Sequence, residues 1–254
     1  MDSEKKSVVI AVCGKEGSGK TSISAVMTKI LMNDKNAKVL VIDVDPDERL
    51  AKVLGIKLDR NFYDIRKATT MLIKVDGETS KNILLSNLED KVRNIIIQKG
   101  NMSFLAIGKL NKDKDFLKGN SLLQEVIGKL SLEFNYVIID GEPEINVIKE
   151  RVIKKVTHLV FVSDVSEKGI SFVKTANEGR NELNDYESVG LILSRLKTKE
   201  EIDKVRIIKE IPLITYTIDN NELKNFDIAK NSILDLPEGN LIQYVRNGLS
   251  RLNV

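Results

Sequence analysis

The 254-residue chain has a single cysteine, Cys13, and a single histidine, His158. One thiol excludes a disulfide framework within the chain and fits a reducing, cytoplasmic setting. One histidine cannot build a metal site, and just ahead of a strand it reads as a structural residue. No run approaches the roughly 18 consecutive apolar residues that a membrane span needs. The first residues, Met1 to Lys6, lead straight into a strand and lack a signal-peptide cleavage pattern. Neither sign of charge dominates: 40 basic against 37 acidic side chains leave a net charge of +3, which gives no independent support for a nucleic-acid partner. Internal repeats and Pro/Gly-rich linkers are also missing. What remains is 42% hydrophobic residues, enough for a sizeable core, and one domain over residues 1–254 is expected.

Apolar runs alternate with helical spacing, the rhythm of βαβ units. Strands are predicted at Val8 to Cys13, Lys38 to Asp43, Ser103 to Ile107, Tyr136 to Asp140, His158 to Asp164, Val189 to Ser194 and, briefly, Pro212 to Tyr216. Helices are predicted at Thr21 to Met32, after Pro46 toward Gly55, Ser80 to Ile97, Ser121 to Leu130, Lys168 to Glu182 and Leu241 to Leu252. A turn is marked by Asp76-Gly77. The pattern predicts an α/β fold with a doubly wound, mainly parallel sheet.

Gly14-Lys15-Glu16-Gly17-Ser18-Gly19-Lys20-Thr21 fits G-x-x-x-x-G-K-[ST], with a strand before it and a helix after it. The glycines let backbone N–H groups turn inward around phosphate oxygens, and the helix N-terminus adds partial positive charge. Gly14 to Ser22 are therefore the expected cradle for ATP or ADP with Mg²⁺. Lys20 would contact the β- and γ-phosphates and the Thr21 hydroxyl would ligate the metal. Asp43, Asp45 and Asp140 follow apolar strands at the carboxyl edge, where ligands bind in such sheets. Asp140 is expected to hold Mg²⁺ through water, and Asp43 either supports the metal shell or caps the next helix.

With Lys15 directly after the first glycine, the G-K-x-G-x-G-K-T pattern resembles the deviant phosphate loop of the MinD, ParA and nitrogenase iron-protein group (SIMIBI-type P-loop NTPases). The resemblance implies that Lys15 reaches across an ATP-dependent homodimer interface to the partner's nucleotide. It also implies that Asp45, just before Pro46, positions the attacking water. Further along, KVLVIDVDPDERLAKVLGI, YVIID, VFVSDVSEKGI, VGLILSRL and the late Leu-Pro-Glu follow in an order that resembles the CooC-type accessory ATPases. That resemblance implies an ATP-hydrolysing switch that assists maturation or reactivation of a nickel or corrinoid metalloenzyme, with the client enzyme or its maturation proteins as partners. The alternative is a MinD/ParA-type positioning ATPase on membrane or DNA.

Three departures stand out. The family's Cys-x-Cys pair is absent from Asn111 to Asn120, so a metal held by four thiolates across a dimer cannot form. Asp113 and Asp115 there read as an exposed charged turn. The stretch after Asp140 runs Gly141-Glu142-Pro143-Glu144, with Asn146-Val147 in place of the family's Glu-His. Ser194-Arg195 replaces the family's Asn-Arg, whose asparagine touches adenine. With Ser194, Arg195 and Pro212 as the candidate base contacts, selectivity is expected either to be looser or to be carried by the backbone near Ile211-Pro212. The apolar spacing from Leu241 to Leu252 reads as packing on the sheet rather than membrane binding. Lys197, Lys199, Lys204, Arg206 and Lys209 are interleaved with Glu200, Glu201, Asp203 and Glu210, so they read as a solvated helix face. Neither a membrane nor a nucleic-acid partner is expected.

Overall fold

The computed structural model describes residues 7–45, 47–59, 81–107, 115–141, 152–180, 186–205, 211–219, 222–226 and 231–254. Eight strands among them form one sheet: β1 (Val8–Gly14), β2 (Val39–Asp43), β3 (Ile97–Lys99), β4 (Met102–Ala106), β5 (Tyr136–Asp140), β6 (His158–Ser163), β7 (Ser188–Leu196) and β8 (Leu213–Ile218). Their spatial order is β3-β4-β2-β5-β1-β6-β7-β8. Every pairing is parallel except the antiparallel edge β3–β4.

The described helices are α1 (Lys20–Leu31), α2 (Arg49–Val53), α3 (Lys81–Ile95), α4 (Asp115–Ser131), α5 (Glu167–Arg180), α6 (Glu222–Asn225) and α7 (Asn240–Arg251). They cover both faces, as the near-continuous apolar strands require. Alternation along β1 sends Val9, Ala11 and Cys13 into a core with Leu88 and Val92 of α3 and Ile127 of α4. Ile10 and Val12 enter the opposite core with Val26 and Met27 of α1 and Ile242 and Val245 of α7. β1 is central: the chain passes first to one side of it, through β2 and β5, and later to the other, through β6 to β8. This reversal opens a crevice at the carboxyl edge, beside the loop that follows β1.

Two expectations need correction here. Ile97 was assigned to a helix, yet it begins β3: the run Ile95-Ile96-Ile97 fits either period, and Gly100 at φ 62° turns the chain back along β4. Asp115 was expected in an exposed charged turn and the helix from Ser121, yet the helix α4 begins at Asp115. Asp113, Glu142 to Val147, Arg206, Lys209 and Glu210 lie outside the described residues. His158 is structural: it is buried, with Nδ1 2.8 Å from Thr157 Oγ1 and Nε2 3.1 Å from the Leu252 carbonyl. No helix among the described residues is long and apolar enough to cross a membrane.

Candidate functional site

The loop between β1 and α1 is shaped by its glycines. Gly17 and Gly19 hold φ of 77° and 90°, in the left-handed region that side chains disfavour. At Gly14 the constraint is space: a Cβ would lie 2.3 Å from the Val162 carbonyl oxygen and 2.9 Å from Lys20 Cγ. The loop closes with a Ser18 N–H bond to the Lys15 carbonyl at 3.1 Å. α1 then starts at Lys20 without a side-chain cap and without an acid in its first turn, so its positive end is left for an anion. Lys20 Nζ reaches back 3.5 Å to the Lys15 carbonyl. Among the described residues the Ser18 hydroxyl is buried with no hydrogen-bond partner. A phosphate group suits this cradle.

Around the loop lies a cleft of about 530 Å³ lined by Glu16, Gly17, Gly19, Lys20, Thr21, Ser22, Asp45, Asp47, Arg49, Asp140, Gly141 and Arg195. A second hollow of about 510 Å³, between Lys38, Asn101 and Phe134, lies at the amino edge and contains none of these residues. The cleft therefore gathers the cradle residues, Asp45, Asp140 and Arg195 from four separate parts of the sequence.

Asp43 and Asp140 are direct partners in the β2–β5 register, both nearly excluded from solvent. Burial and the neighbouring Asp140 push the Asp43 carboxyl up to about 7. Burial pushes Asp140 up to about 6 against the opposing hydrogen bonds of Thr21 and Ser24 and the charge of Lys20. Ser24 Oγ donates to Asp140 Oδ1 at 2.8 Å. Asp43 holds local structure: Oδ1 accepts from the Asp45 N–H at 3.0 Å, and Oδ2 accepts from Leu50 and Ala51 of α2 at 3.0 and 3.1 Å. Two carboxyls paired in the strand register beside the phosphate cradle could offer Mg²⁺ the one or two carboxylates it takes together with phosphate oxygens and water. Among the described residues no cluster of three or more His, Cys, Asp or Glu side chains could cage a metal unaided. Cys13 is fully buried, and burial pushes its thiol up to about 12, far from reactive or metal-binding thiolate.

Two expected base contacts are placed otherwise. Pro212 precedes β8 at its amino end, the sheet edge opposite the loop, because β8 runs parallel to β7 from Leu213 and delivers Ile218 and Asp219 to the ligand edge. Ser194 is 3% exposed, and its hydroxyl donates to the Ser18 carbonyl at 2.5 Å, bracing the loop from below. Arg195 does line the cleft. It has φ 58° at a β7–β8 register shift, an irregularity of the kind that re-aims a side chain. Ser24, Asp47, Arg49 and Thr217 went unnoticed in the sequence. Ser24 lies one helical turn beyond Thr21, and Arg49 is four residues beyond Asp45, so spacing offered a signal for both. Thr217 Oγ1, accepting from the Arg195 N–H at 3.3 Å, had none.

The model of the AAA_31 family, described as AAA domain, matches residues 6–186. An uncharacterized ATP-binding protein of Methanocaldococcus jannaschii is 26% identical over 236 residues, covering 92% of this chain and 93% of that protein. The carbon monoxide dehydrogenase accessory protein CooC of Rhodospirillum rubrum is 25% identical over 210 residues, covering 73% of this chain and 78% of its own. Among solved structures, a ParA family ATPase from Chlorobium tepidum TLS aligns with a TM-score of 0.70 at 14% identity, over 95% of this chain and 96% of that one. The septum site-determining protein MinD of Pyrococcus horikoshii OT3, complexed with Mg-ADP, aligns with a TM-score of 0.68 at 15% identity, over 98% and 96%. At such identities these two structures speak to fold alone.

Proposed function

The chain belongs to the AAA_31 family and is a P-loop ATPase of the group that includes ParA, MinD and CooC; on that premise we propose that it is a dimerising, ATP-driven switch of the CooC-like branch that assists maturation or reactivation of a metalloenzyme. In this reading the loop amides from Gly14 to Ser22 and the Lys20 ammonium hold the phosphates. Thr21 and Asp140, with Asp43 behind them, would hold Mg²⁺, which supplies charge neutralisation for phosphoryl transfer. Asp45 would accept a hydrogen bond from the attacking water and orient it. Arg195 would lie against the nucleotide, and Lys15 would complete the site of a second copy.

The observation that carries the client assignment is the likeness to CooC over 73% of the chain, well beyond the phosphate loop. Since the sole thiol is the buried Cys13, the client's metal would not ride on this chain's sulfur. Light scattering tests the switch: the mass should double with Mg·ATP and stay monomeric with Lys15→Ala. No change of mass under ATP sinks the reading.

The fold likeness to MinD and ParA over nearly the whole chain supports a second reading, a positioning ATPase on membrane or DNA. Sedimentation with anionic liposomes and with duplex DNA, with and without ATP, separates the two. Tight ATP-dependent association with either favours the second.

A further inference from the structure

Arg49, at the first position of α2, faces three carboxylates at once. Its Nε is 3.3 Å from Asp45 Oδ2, and one terminal nitrogen is 2.9 Å from Asp47 Oδ2 and 3.6 Å from Glu16 Oε1. Asp45 and Asp47 belong to the segment after β2, whereas Glu16 belongs to the phosphate loop, so the guanidinium spans the cleft between the two. The other oxygen of Asp45, Oδ1, accepts the Asp47 N–H at 2.8 Å. Both oxygens of the carboxylate are thus fixed, one by backbone and one by Arg49. The segment is pinned elsewhere as well: Lys52 Nζ bonds the Asp47 carbonyl at 2.8 Å, and Glu48 takes a left-handed φ of 54°.

An isolated exposed pair of this spacing contributes little, because solvent screens it and two long side chains must be ordered. Arg49 differs in geometry. A planar guanidinium with several donors can serve carboxylates from two loops together, which a lysine ammonium does only as a point charge. Asp45 is only 21% exposed at its side chain, so its direction is set by these partners rather than by water.

We propose that Arg49 is a positioning residue for ATP hydrolysis: by bridging Asp45 to the phosphate loop through Glu16, it sets the orientation of the Asp45 carboxylate relative to the bound phosphates. This rests on the reading of Asp45 as the residue that orients water. Misplacing a catalytic group by an ångström costs on the order of a hundredfold in rate, while nucleotide binding by the loop is left intact. Arg49 therefore acts on turnover and not on affinity.

The test uses the full chain with Arg49→Ala, Arg49→Lys, Asp45→Asn and the Arg49→Ala/Asp45→Asn double variant. Steady-state ATPase rates are measured beside the affinity for a fluorescent ATP analogue. Arg49→Ala should lower kcat on the order of tenfold to a hundredfold with affinity nearly unchanged. Arg49→Lys should recover part of that loss, and Arg49→Ala should add nothing to Asp45→Asn. Hydrogen exchange supplies a readout independent of turnover: the Asp47 amide should exchange faster in Arg49→Ala. Wild-type or raised kcat in Arg49→Ala, with Asp45→Asn inactive, overturns the role of Arg49 alone, as does unchanged Asp47 exchange. Lost affinity at unchanged kcat would make Arg49 a direct phosphate ligand instead and also overturns the proposal. Full turnover in Asp45→Asn removes the reading of Asp45 itself.

Discussion

The Ser194 hydroxyl donates to the Ser18 carbonyl oxygen at 2.5 Å, joining the carboxyl end of β7 to the phosphate loop. Ser194 Oγ also lies 3.3 Å from the Ser163 carbonyl oxygen of β6, so Ser194 sits where two strands and the loop converge. The loop thus rests on the sheet through this side chain as well as through the packing at Gly14.

Replacing Ser194 by alanine removes the donor and leaves the buried Ser18 carbonyl without it. A loss of about 1–3 kcal/mol in stability is expected, read from urea unfolding. Nucleotide affinity should fall several-fold by calorimetry, since the loop amides are no longer held in register. Ser194→Thr keeps the hydroxyl and should retain more affinity than alanine.

Gly14→Ala places a methyl group 2.3 Å from the Val162 carbonyl, which is backbone in a central strand and cannot move aside cheaply. The nearby Lys20 stem must shift too. Overpacking of this kind costs about 1–3 kcal/mol, and nucleotide binding should be lost. Gly128→Ala is the control, because a Cβ there meets nothing within 4 Å. It should leave affinity unchanged.

Asp43 and Asp140 set a pH dependence with a definite sign. Their carboxyls titrate near 7 and near 6 in the folded chain, against 3.8 for the ordinary group. The folded state therefore binds protons more tightly than the unfolded one, so these two residues favour folding most below about pH 4. That contribution is lost as pH rises through 6 and 7. Without nucleotide, the melting temperature should be higher at pH 5.5 than at pH 8. Glu133, lowered by its Arg93 contact, works in the opposite direction at lower pH, and its exposure limits the effect. Mg·ADP should raise the melting temperature more at pH 8 than at pH 5.5, and Asp43→Asn should flatten the profile. Equal stability of the nucleotide-free protein at both values would contradict this account.

The layout of the sheet was legible because each central strand is an apolar run closed by glycine or aspartate, a pattern that also marks the ligand edge. Direction was harder. The backbone near Ile211-Pro212 was expected at the base, but the parallel course of β8 puts it at the far edge, and a strand's direction is fixed by its connections rather than by its residues. Ser194 carried no sign of its role because its partner, the Ser18 carbonyl, is backbone. Asp43 could be read as a cap or as metal support; the cap bonds are present in the fold, yet they do not remove it from the neighbourhood of Asp140. Arg49 escaped the sequence reading although its i,i+4 spacing from Asp45 offered a signal, whereas its contact with Glu16 depends on how two loops meet.

The C-terminal helix offers the last test. Leu241, Ile242, Val245, Leu249 and Leu252 are buried in the core shared with α1 and the sheet. Glu222 accepts the Asn240 and Leu241 N–H groups at 3.1 and 3.0 Å, which satisfies the helix start. At the other end Arg251 donates to the Ile214 carbonyl at 2.8 Å, and Gly248 packs so close to β8 that a Cβ would lie 2.8 Å from Thr215 Cγ2. A helix held in this way belongs to the fold, and releasing it exposes the face of β8. Gly248→Val should therefore destabilise the protein by about 2–3 kcal/mol through overpacking, with a melting temperature lower by several degrees. If α7 were instead a detachable membrane helix, Gly248→Val would barely change the melting temperature and would increase sedimentation with anionic liposomes. Thermal unfolding and liposome sedimentation of this one variant decide between an integral helix and a mobile one.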